Sequence, residues 1–151
     1  MESKKAIQIS FVILLIQSVL ALIYGLGAFI LPEFLASRSY PQYTGESWDS
    51  LLTESPALGS YIMILEGAAG GLGLTATIGN LFILFSGFRK GEKWAWFYIL
   101  VVNIIGWGNI LIANILMKNS LVILIIASGL LLIVAALIIS AKAFLIEKGN
   151  A

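Results

Sequence analysis

Glu66 is the single charged residue between positions 58 and 88. Gly70, Gly73, Thr77 and Asn80 follow it at steps of four, three, four and three residues. On a helix these five share one face. A carboxylate on a small, polar stripe can take up a proton, hold a ligand by hydrogen bonds, or pin one helix to another. A charged group at the bilayer centre costs about 2.5–3.5 kcal/mol on insertion scales, so it is usually paired, protonated or functional.

Partners for such a group exist in two other apolar runs. Ser10, Gln17 and Tyr24 recur at seven-residue spacing, and Asn103, Trp107, Ile110 and Asn114 share a face. An amide inside a span bonds to a neighbouring helix, at about 0.6–2 kcal/mol. The expectation is a buried polar cluster of Glu66, Gln17, Tyr24, Asn103 and Trp107, able to serve as a binding site. The same stretch holds Gly67, Gly70, Gly71 and Gly73, and small residues let helix backbones approach closely in lipid. These four glycines are expected to pack against another helix.

Several chemistries have no residues to perform them. The chain has no Cys and no His, which removes thiol catalysis, disulfides and imidazole acid–base work. One carboxylate at depth provides no acid pair, and no nucleophile–base pair is legible. No cofactor or metal is expected. A net charge of +1 without a basic stripe argues against a nucleic-acid partner.

The elements that must carry these residues are read from hydropathy. Hydrophobic residues make up 60% of the 151 and charged ones 11%, with a mean hydropathy of +1.00. A soluble domain carries about 25% charged residues. Spanning the roughly 30 Å hydrocarbon takes about 20 helical residues, and four segments qualify: 7–31, 58–88, 94–117 and 121–145. The first is too long for the apolar core of a signal peptide and ends without a convincing cleavage site, so it reads as a retained span. The last two are joined by Lys118, Asn119 and Ser120, which requires a hairpin. The fold class is thus all-α: a single polytopic domain over 1–151, an antiparallel bundle of four transmembrane helices.

Between the first two spans lies a polar region, 32–57. It contains Glu33, Arg38, Glu46, Asp49 and Glu54, a local charge of −3. Ser47 suits an N-cap, and Trp48, Leu51 and Leu52 share a face, which predicts a short interfacial helix ended by Pro56. The region reads as a connector, or as a lid over a cavity. Lys4, Lys5, Arg89, Lys90, Lys93, Lys142 and Lys148 fall on one side, against Arg38 and Lys118 on the other. This places both termini in the cytoplasm of an inner-membrane protein. Tyr40, Tyr43, Trp48, Tyr61, Trp94 and Trp96 lie near the boundaries, as an aromatic belt would.

The segment 87–96 (GFRKGEKWAW) resembles the loop between the second and third helices of small prokaryotic four-helix membrane proteins of the DoxX-like type. The 45–48 (GESW) and 55–56 (SP) patterns resemble their first loop. The resemblance implies a four-helix bundle and names no activity; DoxX-like proteins are associated with redox complexes, but no cofactor ligand here carries that over. The leading expectation is a non-catalytic structural, accessory or lipid-binding protein, with the bilayer, a lipid or small hydrophobic ligand, and a second copy as partners. The alternative is a small proton-coupled transporter using Glu66. A membrane enzyme acting on a lipid-like substrate ranks third.

Overall fold

The computed structural model describes residues 3–118 and 120–146; Asn119 of the last link and Lys148 of the basic set lie outside them. The described residues form six α-helices and one 3-10 turn, with no strand. They are α1 (Ser3–Ile30), α2 (Pro32–Thr44), α3 (Trp48–Glu54), α4 (Pro56–Ser86), the 3-10 turn Phe88–Lys90, α5 (Lys93–Leu116) and α6 (Ser120–Leu145). Four of them, α1, α4, α5 and α6, are long and apolar enough to cross a membrane.

These helices bury several polar side chains along with their apolar core, and expose many large apolar ones. Ser10, Gln17, Ser18, Thr77, Asn80, Asn103 and Ser140 are buried, while Leu72 is 75% exposed and Leu131 70%. Such a surface would associate in water and is satisfied by lipid.

Helix α1 packs along α4 and α6, and α5 packs along α6. The α1–α4 seam depends on glycine. A Cβ at Gly70 would lie 2.6 Å from the Phe29 amide nitrogen and 2.7 Å from the Ala28 carbonyl carbon, with backbone that cannot turn aside. On the α1 side, Gly25 faces the Leu74 backbone. Helix α1 joins α6 through Ser10, whose hydroxyl donates to the Ala136 carbonyl, and Ser140 donates to the same oxygen at 2.9 Å.

Between α4 and α5 the sequence tightens. At Gly87 a Cβ would meet the Trp94 ring at 2.6 Å and the Ala95 Cβ at 2.7 Å, and Gly91 has φ +76°. Phe88 and Phe144 stack behind this turn with ring centroids 4.8 Å apart. A cluster of Leu84, Phe88, Ala95, Trp96, Ile99, Ile133, Leu137 and Phe144 forms the main core. Trp96 belongs to it: it is buried and its indole N–H donates to the Leu137 carbonyl at 3.2 Å. Trp96 and Trp48 are therefore packing residues and not members of an aromatic belt, whereas Tyr43, Tyr61 and Trp94 are exposed.

The polar region holds two helices where one was expected. Pro32 opens α2 at its first turn, where a missing N–H costs nothing. Gly45, with φ +80°, closes it by donating to the Pro41 carbonyl. Ser47 caps α3, its hydroxyl accepting from the Ser50 amide at 3.0 Å. Such a cap is worth about 1 kcal/mol. Trp48 and Leu51 bury against Ala36 of α2, with Tyr40, Ile62 and Met63 around them. Both helices rest on α4.

Candidate functional site

The residues expected to form one polar cluster occupy three places. Asn80 and Asn103 meet between α4 and α5, where the Asn80 Nδ2 donates to the Asn103 Oδ1 at 3.3 Å. Asn103 in turn donates to the Ile99 carbonyl at 2.8 Å. Gln17 and Trp107 converge from α1 and α5 on Gly129 of α6; a Cβ there would lie 2.8 Å from Gln17 Nε2 and 3.3 Å from the Trp107 ring. Glu66 stands elsewhere, near Tyr24, which is 60% exposed.

Helix rise explains the separation. Glu66 and Asn80 are fourteen residues apart on α4, about 21 Å. Since Asn103 bonds to Asn80, Glu66 is out of its reach. Glu66 is also twenty-one residues from Gly87, about 32 Å, as long as the hydrocarbon is thick. It lies within the second of the four helices long and apolar enough to cross a membrane. It is half-buried and makes no hydrogen bond or ion pair with a described residue.

The four glycines divide likewise. Gly70 is in backbone contact with α1, and Gly67 and Gly71 would meet Pro32 and the Phe29 ring at ordinary distances of 3.8 Å and 3.4 Å. Gly73 is exposed and has nothing within 4 Å of a Cβ position. It does not pack against another helix.

Sequence reasoning missed a groove where α1 ends. It has a volume of about 610 Å³ and is open to the surroundings. Ile30 and Leu31 of the α1–α2 junction, Phe34 of α2 and Met63 of α4 are its apolar lining. Glu33 and Ser37 line it from one face of α2, and Trp48 and Asp49 from the start of α3. The Ser37 hydroxyl is engaged with the Phe34 carbonyl at 3.2 Å. The Glu33 and Asp49 carboxylates are exposed and form no hydrogen bond or ion pair with a described residue. Trp48 is buried, and its Nε1 has no acceptor among the described residues. Arg38 lies over the Phe34 ring, 4.2 Å from its centroid. Further along α2, the Tyr40 hydroxyl donates to Glu46 at 3.1 Å. Loss of solvent, followed by that hydrogen bond, pushes the Tyr40 phenol above its usual range.

The signal that could have found the groove is the pairing of Pro32 with Trp48: a helix start directly after a span, and an aromatic beside the next helix start. No protein-family profile, curated protein or solved structure matches the chain. No group of three potential ligand side chains that could hold a metal ion occurs among the described residues.

Proposed function

We propose that this chain is a multi-pass inner-membrane protein of the antiparallel four-helix type, acting as an accessory unit that binds a lipid or similar amphiphile without catalysis. The observation that carries this reading is the groove. It sits where a bilayer-length helix ends, and apolar side chains and two carboxylates line it together. An amphiphile lying at a membrane surface has the same two-part character. The volume falls within the range of about 300–1,000 Å³ common for small-molecule sites.

The antiparallel arrangement is supported by the register of the contacts. Along α1, Phe11 meets Phe85, Gly25 meets Leu74, and Ala28 meets Gly70, so α4 descends as α1 ascends. Ser10 with Ala136 and Gln17 with Gly129 run the same way against α6. Orientation is supported by charge. Ile7 lies beside Gly91, Arg89 beside Phe11, and Phe88 beside Phe144, which brings Lys4, Lys5, Arg89, Lys90, Lys93 and Lys142 to one end. By the positive-inside tendency that end is cytoplasmic. The DoxX-like likeness rests on the 87–96 and 45–56 segments alone.

Ser37→Trp tests the lipid reading, because a large ring at position 37 fills the groove from α2. Native mass spectrometry of detergent-purified protein should show phospholipid adducts on the wild type and few on Ser37→Trp. Equal adducts on both proteins would refute lipid binding at this place.

One observation favours a proton-coupled transporter as a second reading: Glu66 is half-buried near Tyr24 and has no hydrogen bond or ion pair with a described residue. Glu66→Gln then separates the two readings. An accessory protein keeps its lipid adducts and melting temperature. A transporter folds normally but loses pH-driven uptake in proteoliposomes, and an absence of pH-driven uptake by the wild type would end that reading.

A further inference from the structure

We infer that α4 and α5 part into a lateral cleft that takes an uncharged, single-chain lipid alcohol, its hydroxyl held by Gln17 and Asn80 and its chain lying along Gly73. This site is separate from the groove, and lipid binding in the groove is not needed for it.

One stripe of α4 shows how the two helices diverge. Gly73, Asn80 and Gly87 stand seven residues apart and keep one face to within about 20° per step. A Cβ at Gly87 would press on Trp94 and Ala95 of α5 at 2.6 Å and 2.7 Å. At Asn80 the helices are joined by the side-chain bond to Asn103 at 3.3 Å. At Gly73 nothing lies within 4 Å of a Cβ position, and the residue is exposed. The α5 side agrees: Ile110, seven residues beyond Asn103, is 42% exposed. The two helices thus close at the 3-10 turn and open toward the end where α1 passes into α2. Ala69 and Ala76 are exposed on the same side of α4 as Gly73. They leave a smooth wall with room for an alkyl chain.

The narrow end of the cleft is polar and unsatisfied. Phe11 is level with Phe85 and Gly25 with Leu74, so Gln17 is level with the turn of α4 that holds Asn80. Gln17 reaches across the interior from α1, its Nε2 standing 2.8 Å from a Gly129 Cβ position, beside the Trp107 ring of α5. It is 8% exposed, and its amide makes no hydrogen bond with a described residue. Asn80 is 9% exposed, and its Oδ1 has no donor among the described residues. A buried polar group left unpaired is costly.

These groups define the occupant. Gln17 offers N–H donors and Asn80 an acceptor, and a hydroxyl complements both because it accepts and donates. An ester or ketone accepts only. The head must be uncharged. Along α4 the nearest charged side chains are Glu66 and Arg89, fourteen and nine residues from Asn80, about 21 Å and 14 Å. An ion without a counter-charge at bilayer depth is expensive. The mouth opens between helices that expose Leu72, Ile105 and Ile112, so the molecules at hand there are lipids.

The test uses the full chain in non-ionic detergent, with 1-hexadecanol, methyl palmitate and dioleoyl phosphatidylglycerol as probes. Binding is read by native mass spectrometry and by shift in melting temperature. Wild type should bind hexadecanol about fivefold to tenfold more tightly than methyl palmitate, the effect of one hydrogen-bond partner. Excess phosphatidylglycerol should not displace it. Gln17→Leu should lose that preference and keep or raise the melting temperature, because the amide bonds to nothing in the protein. Gly73→Phe fills the open side of α4, and it should fold and lose hexadecanol. Ser37→Trp, in the groove, should bind hexadecanol as wild type does. Equal binding by wild type, Gln17→Leu and Gly73→Phe would overturn the inference, and so would displacement by phosphatidylglycerol. If alcohol and ester bind alike and Gly73→Phe removes both, the cleft takes a chain and hydroxyl recognition is wrong. If no probe binds and Gln17→Leu melts higher, water fills the narrow end and the inference is wrong. If no probe binds and Gly73→Phe splits a dimer, a second copy fills the cleft and the inference is equally wrong.

Discussion

Gly70 and Gly73 are one turn apart on α4 and live in different surroundings. The first touches the α1 backbone and the second faces open space. Their spacing put them on one stripe, but a stripe on a long helix can cross from a seam to the outside. The expected consequences are opposite. Gly70→Ala should lower stability by about 1–3 kcal/mol, because backbone cannot yield as a side chain can. Gly73→Ala should be neutral or gain up to about 1 kcal/mol from helix propensity. Thermal melting of both variants in one detergent checks this, and a Gly70→Ala protein that melts with the wild type would mean the α1–α4 contact is looser than described. Glu66 teaches the same point about partners. Hydropathy shows that a carboxylate lies within an apolar run, but not that fourteen residues of helix separate it from Asn80 and so from Asn103. The Asn80–Asn103 pair was half legible: both amides were noted, but which helices face each other depends on packing.

At the scale of elements, the four long helices were readable because lipid imposes a simple rule. Backbone groups must be satisfied within the segment, so an apolar run of sufficient length is a helix. The expected spans and the observed helices agree to within a few residues at most ends. The exception is the first, which starts earlier, at Ser3. Helix α2 escaped because its cues conflict. It has a Pro at each end of its middle stretch, Pro32 and Pro41, and a polar composition. Pro32 is a favourable first residue, whereas Pro41 lies inside the helix, where it removes a backbone donor and crowds the Ser37 carbonyl. What holds α2 in place is tertiary: Ala36 under Trp48 and Leu51. Helix α3 was legible through Ser47 and its apolar face, yet that face turns to α2 and α4. A pattern of Trp48, Leu51 and Leu52 looks the same whether it meets lipid or protein. The groove follows from this, since it lies at the α1–α2 junction, where α2 and α3 pack on each other and on α4.

For the whole molecule, the decisive pattern is a mixed interior, with Leu84, Ile99, Ile133 and Leu137 buried beside Ser10, Asn80, Asn103 and Ser140, under a surface of large aliphatic side chains. Helix association then rests on close packing and polar contacts, as at Gly70 and Ser10. The 3-10 turn Phe88–Lys90 adjoins the start of α1 and the end of α6, while α2 and α3 follow the other end of α1. Six basic residues gather at the first end, and a loop of charge −3 covers the other. Insertion retains Lys and Arg on the cytoplasmic side, so Ser3 and Lys90 should be internal and Ser47 external. Single Cys replacements at these positions introduce the only thiol in the chain, which makes labelling unambiguous. A membrane-impermeant maleimide applied to intact spheroplasts should mark Ser47→Cys and leave Ser3→Cys and Lys90→Cys unmarked until the membrane is opened. External labelling of Lys90→Cys would invert the topology. The groove, with its acidic rim, would then open to the cytoplasm and meet the inner leaflet.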